Sequence, residues 1–250
     1  MMAVATTARA EVPVVAAASD LQFALEELAG SFQQQTGLQV KLTFGSSGTF
    51  ATQIRSGAPF EMYMAADEDY VLGLHADGLT RDEGAIYAVG RIVIVASIAS
   101  PLAVDSEFKG LAALVKEGRL GHFAIANPEH APYGQRAREA LQHAGLWDAV
   151  ERKLVLGENV SQAAQFAIGG SAEAGIVALS LARSPQVEGH CRYAVIPAEW
   201  HTPLRQRMVL LKNAGEAAQA FYRYLQQPDT RSVLQRYGFE LPNDAASGAK

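Results

Sequence analysis

The sequence predicts an α/β protein of two lobes, each a mainly parallel sheet flanked by helices. Short apolar segments alternate with amphipathic helical ones along nearly the whole chain, the pattern of parallel strands joined by crossover helices. The 250 residues suffice for two domains of ordinary size. Hydrophobic residues make up 49% and charged residues 19%, enough apolar material for two cores.

Residues 12–17 read as a buried strand. Leu21, Leu25, Leu28, Ala29 and Phe32 then share one helical face, which ends near Gly37. Residues 38–44 alternate as a strand, and the turn GSSG leads into a short helix over 49–56. A strand over 61–66 and a helix over 68–75 follow. Residues 91–96 form a β-branched strand, and 122–126 another. Helices are expected over 133–144 and 159–168, with a short strand at 175–177. Strands at 192–196 and 206–211 precede closing helices at 214–226 and 230–237. No internal repeat or Pro/Gly-rich linker separates two halves. Extended apolar segments near 90–96 and 191–197 bracket a self-contained middle. The expected lobes are therefore 11–90 plus 197–242 and 91–196, with 1–10 and 243–250 as flexible tails.

A net charge of -5 argues against a nucleic-acid partner, which calls for a basic face. The single cysteine, Cys191, excludes an intramolecular disulfide and any multi-Cys zinc site. No run approaches the roughly 18–20 apolar residues of a membrane span. The opening MMAVATTARAEVP lacks a basic region followed by a long apolar core, so it is not an intact signal peptide. The chain is then cytoplasmic or has lost a leader. The six histidines show no metal-ligand spacing, and only His130 falls in a loop of interest. Phosphate-loop, dinucleotide and G-x-S-x-G motifs are missing. No catalytic residue, metal or cofactor is expected.

What remains is a set of strand-to-helix junctions. The segment AAASD ends a strand in small residues and places Ser19 and Asp20 at a helix start, where serine serves as an N-cap. The loop Gly45-Ser46-Ser47-Gly48 joins the next strand to a helix. Its small residues let backbone amides approach a ligand, and the helix start supplies unpaired N–H groups with about half a positive charge. The loop from Asn127 to Gly134 follows a strand too, with Pro132 at the helix start and the Tyr133 hydroxyl available. Gly157 to Ser161 opens a fourth helix, with Asn159 as its cap. In an open parallel sheet, ligands bind beyond the carboxyl ends of the strands, so these four helix starts suit one cleft and one anion. The four junctions carry hydroxyls and amides but no Arg or Lys. Donors alone favour a fully deprotonated dianion over one that still carries a proton.

Four segments in this order, AAASD, TFGSSGTFATQIRSGAPFEMYMAAD, ANPEHAPYGQRAREAL and LGENVSQAAQFAIGGSAEAGIV, resemble the periplasmic molybdate-binding proteins of ABC importers. The likeness runs from about residue 12 to residue 239. It implies a type II periplasmic binding protein that closes by hinge motion on one tetrahedral oxyanion, molybdate or tungstate, and delivers it as a monomer to a membrane permease. The resemblance places the family's ligand hydroxyls on Ser19 and Ser47, its variable Tyr or Ala on Tyr133, and its amide donor on Val160. Ser46 completes the Ser-Ser motif. Many relatives carry a ligand-reaching Tyr where this chain has Ala178, and Tyr133 is expected to replace that hydroxyl. Asp20 stands where relatives usually have Leu, Thr or Asn. A carboxylate there suits a helix start but repels a dianion, so it is expected to point outward. Sulfate, chromate or a small carboxylate are the alternative ligands, and a regulator's effector-binding domain the alternative role.

Overall fold

In a computed structural model, the structure describes residues 12–242; the two expected tails fall outside them. In chain order the elements are β1 (Val14–Ala18), a 3-10 turn (Ser19–Leu21), α1 (Gln22–Thr36), β2 (Lys41–Gly45), α2 (Ser47–Arg55), β3 (Met62–Ala65), α3 (Glu68–Ala76), β4 (Ala85–Gly90), β5 (Ile92–Ser97), α4 (Lys109–Lys116) and β6 (Phe123–Ala126). There follow α5 (Pro132–His143), α6 (Trp147–Val150), β7 (Leu154–Gly157), α7 (Val160–Ile168), β8 (Ala174–Ala178), α8 (Leu179–Ala182), β9 (Cys191–Val195), β10 (Leu204–Leu210), α9 (Glu216–Tyr224) and α10 (Pro228–Arg236).

The strands form two five-stranded sheets, ordered β2-β1-β3-β10-β4 and β7-β6-β8-β5-β9. In the first sheet, β1 runs parallel to β2 and β3, while β10 lies antiparallel between β3 and β4. In the second, β6 runs parallel to β7 and β8, while β5 lies antiparallel between β8 and β9. Four of five strands in each sheet thus point one way. The reversed strand in each, β10 or β5, is the one entered directly from the other sheet. This is the two-lobed type II fold. Only Arg91 separates β4 from β5, so one crossing is a nearly continuous extended chain.

The residue pattern explains the layering. In β1, Val15 and Ala17 face a core with Leu25, Leu28, Phe32 and Phe221, while Ala16 faces Phe50, Ile54 and Leu74 on the opposite side. In β3, Met62 and Met64 alternate with Tyr63 and Ala65 between the same two cores. Both faces of the sheet are covered by helices, so its strands read as continuous apolar runs with period-two partition. The second lobe buries Ile92 to Ala96 and Phe123 to Ala126 completely, as its central strands require.

Five regular elements were not foreseen: β4, β7, α4 and the four-residue helices α6 and α8. β4 abuts β5 so closely that the two merge into one apolar stretch in the sequence. β7 is only four residues long. α4 has eight residues, and it starts after Phe108, the one non-glycine with positive φ (62°) among the described residues. The Asp105 carboxylate holds that start by accepting from the N–H groups of Glu107, Lys109 and Gly110, bonds that keep its pKa below the usual carboxylate range against the opposing effect of burial.

Candidate functional site

Four parallel strands end at one place between the lobes. β1 and β2 deliver Ser19, Asp20, Ser46 and Ser47 from the first lobe; the segments after β6 and β7 deliver Tyr133 and Val160 from the second. All six residues line one cavity, together with Ala18, Gly45, Ala66, Ala131 and Pro132. Each of the six is at least 95% buried. The empty space is about 180 Å³, counting the part open to solvent. A space this small leaves no room for an organic ligand of ordinary size. The lining contains no Arg or Lys.

Each junction has its own local logic. Ser46 is the N-cap of α2, its hydroxyl accepting from Thr49 N–H at 3.3 Å and lying 2.7 Å from Thr49 Oγ1 and 2.9 Å from His130 Nδ1. Its polar capacity is thus largely committed to the cap and to His130. Ser47, the first helical residue, turns its hydroxyl under the loop, where it accepts from Ala66 N–H at 3.0 Å. The O–H proton of Ser47 is left as a donor. Asn159 caps α7 by accepting from Gln162 N–H at 3.1 Å, as the sequence indicates. Pro132 occupies the first turn of α5, where its missing N–H costs nothing.

Ser19 corrects an expectation. It caps no helix: it lies inside the 3-10 turn, and its hydroxyl accepts across the cleft from Ser161 N–H at 3.2 Å. Ser161 returns the contact, donating from Oγ to the Ser19 carbonyl at 2.9 Å. Like Ser47, Ser19 keeps its own proton as a donor. The first-turn N–H groups of α7 are accounted for by Ser19 and Asn159 except that of Val160, which has no protein partner; the N–H of Ser47 at the start of α2 has none either. Helix geometry leaves such first-turn donors open. Two hydroxyls and two amides therefore remain uncommitted around the cavity.

Asp20 corrects another. Instead of facing outward, its side chain is fully enclosed, because the 3-10 turn after β1 carries residue 20 beneath the cleft rather than onto an exposed first helical turn. Oδ2 accepts from Tyr133 Oη at 3.0 Å and from Gln206 Nε2 at 2.6 Å. Gln206 is held in turn by Tyr87, whose hydroxyl donates to its Oε1 at 2.7 Å. Oδ1 has no partner. Burial raises the Asp20 pKa to about 6, although the bonds from Gln206 and Tyr133 pull the other way. Burial and then the Asp20 charge keep the Tyr133 hydroxyl protonated far above its usual range.

The lobes touch over the cavity. Gly48 N–H donates to the His130 carbonyl at 2.9 Å, and a β-carbon on Gly48 would stand 2.7 Å from that oxygen, so only glycine permits this approach. Arg136, behind Tyr133 on α5, pairs at 2.6 Å with Asp67, the N-cap of α3. Gly90, at the crossing, lies so near the network that a β-carbon there would stand 2.4 Å from Tyr133 Oη. Sequence reasoning missed Gln206, Tyr87, Ser161, Gly90 and Arg136. His130 serves Ser46, and among the described residues no cluster of His, Cys, Asp and Glu is arranged to hold a metal ion.

The chain matches the family model described as bacterial extracellular solute-binding protein over residues 13–240. It belongs to that family. Members of the solute-binding family are receptors, and this one is not an enzyme. The chain is 36% identical to the molybdate-binding protein ModA of Azotobacter vinelandii, over 95% of this chain and 93% of that protein. It is 33% identical to ModA of Escherichia coli K12, over 91% and 88%. The solved periplasmic molybdate-binding protein of A. vinelandii superposes with a TM-score of 0.84 at 32% identity, covering 92% of this chain and 99% of that one. The family places this solute-binding protein outside the cytoplasm.

Proposed function

We propose that this solute-binding protein captures a tetrahedral oxyanion, molybdate or tungstate, and presents it to the membrane permease of an ABC importer. The observation that carries the reading is the cavity itself, small, cation-free and ringed by uncommitted donors from both lobes. The 36% identity to a molybdate-binding relative supports the choice of anion. Ser19, Ser47 and Val160 are the ligand donors, with the Ser47 amide beside them. Tyr133 and Asp20 form the floor, and Ser46 shapes the α2 start. Each hydroxyl accepts from an amide and so directs its proton elsewhere, an orientation that costs nothing to rearrange on binding.

The proposed lobes are 11–90 with 197–242 and 91–196, of which 12–242 is described, hinged at the two crossings. The anion docks on one lobe and the other rotates over it; closure is favoured by the anion's stronger binding to the closed state. The proposed working unit is a monomer, whose two lobes supply the named donors between them. A thermal-shift series with molybdate, tungstate, sulfate, phosphate, chromate and small carboxylates tests the ligand. Anion at 100 times its Kd adds about 2.7 kcal/mol, or roughly 5–11 °C for a chain of this size. Stabilisation by molybdate and tungstate alone is expected. Stabilisation by sulfate or a carboxylate instead would replace the ligand while keeping the receptor.

A further inference from the structure

An enclosed carboxylate is an odd companion for a dianion. Asp20 lines the cavity with Oδ1 unpartnered, and no Lys or Arg contributes to its environment. The groups that bear on it are neutral. Tyr133 approaches from α5, Gln206 from β10 and Tyr87 from β4 behind Gln206; Ser180 of α8 donates only to the Asp20 carbonyl, at 2.7 Å. From α7 the neighbours are Val160 and Ser161, and from β2 Gly45, none of which titrates. His130 stands off at Ser46 and does not line the cavity.

With Asp20 ionised, the Tyr133 proton is committed to Oδ2, so the Asp20–Tyr133 pair holds one proton and has none to offer an anion. Oδ1 meanwhile presents unpartnered negative charge at the wall of the cavity. Adding one proton changes both facts. The pair then holds two protons for one internal hydrogen bond, and the second O–H is free to donate to an oxyanion oxygen. We propose that Asp20 takes up a proton from solution as the lobes close on the anion, so that one H⁺ is bound with each dianion. The protein would thereby bind a fully deprotonated oxyanion as its substrate form while supplying the neutralising proton itself. This rests on the oxyanion reading of the site.

Linkage gives the sign. Asp20 titrates at about 6 in the ligand-free structure with its lobes in contact; above that value the complex holds more protons than the ligand-free protein, so binding tightens as pH falls. Kd is expected to be flat below about pH 6 and to rise up to tenfold per pH unit above it. Calorimetry of the full chain with molybdate at pH 7.5, in buffers of different ionisation enthalpy, reads the proton count directly. Uptake of between one half and one proton per anion is expected. Asp20→Asn, which keeps a donor at the carboxylate position, is expected to take up none, to lose the pH dependence and to bind more tightly than wild type at pH 8.

Molybdate binding with no buffer-dependent heat would overturn the proposal while leaving the oxyanion reading intact; no binding of any oxyanion would remove that reading itself. Pronounced pH dependence surviving in Asp20→Asn would assign the proton to His130 instead. Tight binding of hydrogen phosphate without proton uptake would show Asp20 accepting a ligand's own proton, which also overturns it. Should the variant fail to fold, the wild-type buffer series decides alone.

Discussion

Replacing Ser47 with alanine separates two roles that one hydroxyl plays. Its oxygen accepts from Ala66 N–H at 3.0 Å, and its proton remains for the anion. Losing the second role removes a hydrogen bond to a charged partner, about 1.5–3 kcal/mol. At 1.4 kcal/mol per decade, Kd should weaken about 10- to 150-fold. Losing the first role leaves a buried amide unsatisfied, which costs about 1–3 kcal/mol of stability without ligand. The two effects appear in different assays: titration calorimetry with molybdate reads the affinity, and denaturant unfolding of the ligand-free protein reads the stability. Both should change. A Kd within twofold of wild type, with the unfolding midpoint lowered, would show that Ser47 only supports the loop and would remove it from the proposed donor set.

Two other perturbations probe the floor of the site. Asp20 titrates at about 6 when folded and near 3.8 when unfolded. Between those values the folded protein binds a proton that the unfolded chain does not, so this group's contribution to stability falls as pH rises through the window and levels off above it. The difference amounts to about 3 kcal/mol. Asp20→Asn should therefore raise the melting temperature of the ligand-free protein by roughly 6–12 °C at pH 7.5, with the gain vanishing near pH 4; an equal gain at both values would contradict the buried-carboxylate assignment. Gly90→Ala puts a β-carbon 2.4 Å from Tyr133 Oη and 2.9 Å from Gln206 Nε2. Overpacking of this kind costs about 1–3 kcal/mol, so molybdate affinity should drop about 5- to 150-fold, and unchanged affinity would show that closure does not need Tyr133 in this position.

The parts of this architecture that are local in the chain are legible in its sequence. Each of the four helix starts at the cavity follows a strand within a few residues, and small or capping residues mark it. Asn159 and Pro132 do what their residue types suggest. The floor of the cavity is not local. Gln206 lies 186 positions from Asp20 and reaches it only because β10 inserts antiparallel beside β3. One signal existed: Leu204, Gln206 and Met208 share the buried face of β10, so a glutamine stands where the period demands an apolar residue. A polar side chain at such a position has a partner or a purpose. Asp20 misled for a related reason. An acidic residue at a helix start has an ordinary dipole explanation, but the 3-10 turn between β1 and α1 rotates it inward. No pattern in the residues around it distinguishes that turn from the first turn of a helix.

The central claim is that an oxyanion sits between the lobes, held by donors from both. A crystal structure of the protein grown with tungstate tests it most directly, because the heavy atom marks its own position by anomalous scattering. The account predicts a single strong peak in the cavity, with oxyanion oxygens within hydrogen-bond distance of the Ser19 and Ser47 hydroxyls and the Val160 amide. A peak elsewhere on the surface, or an empty cavity between closed lobes at saturating tungstate, would contradict it.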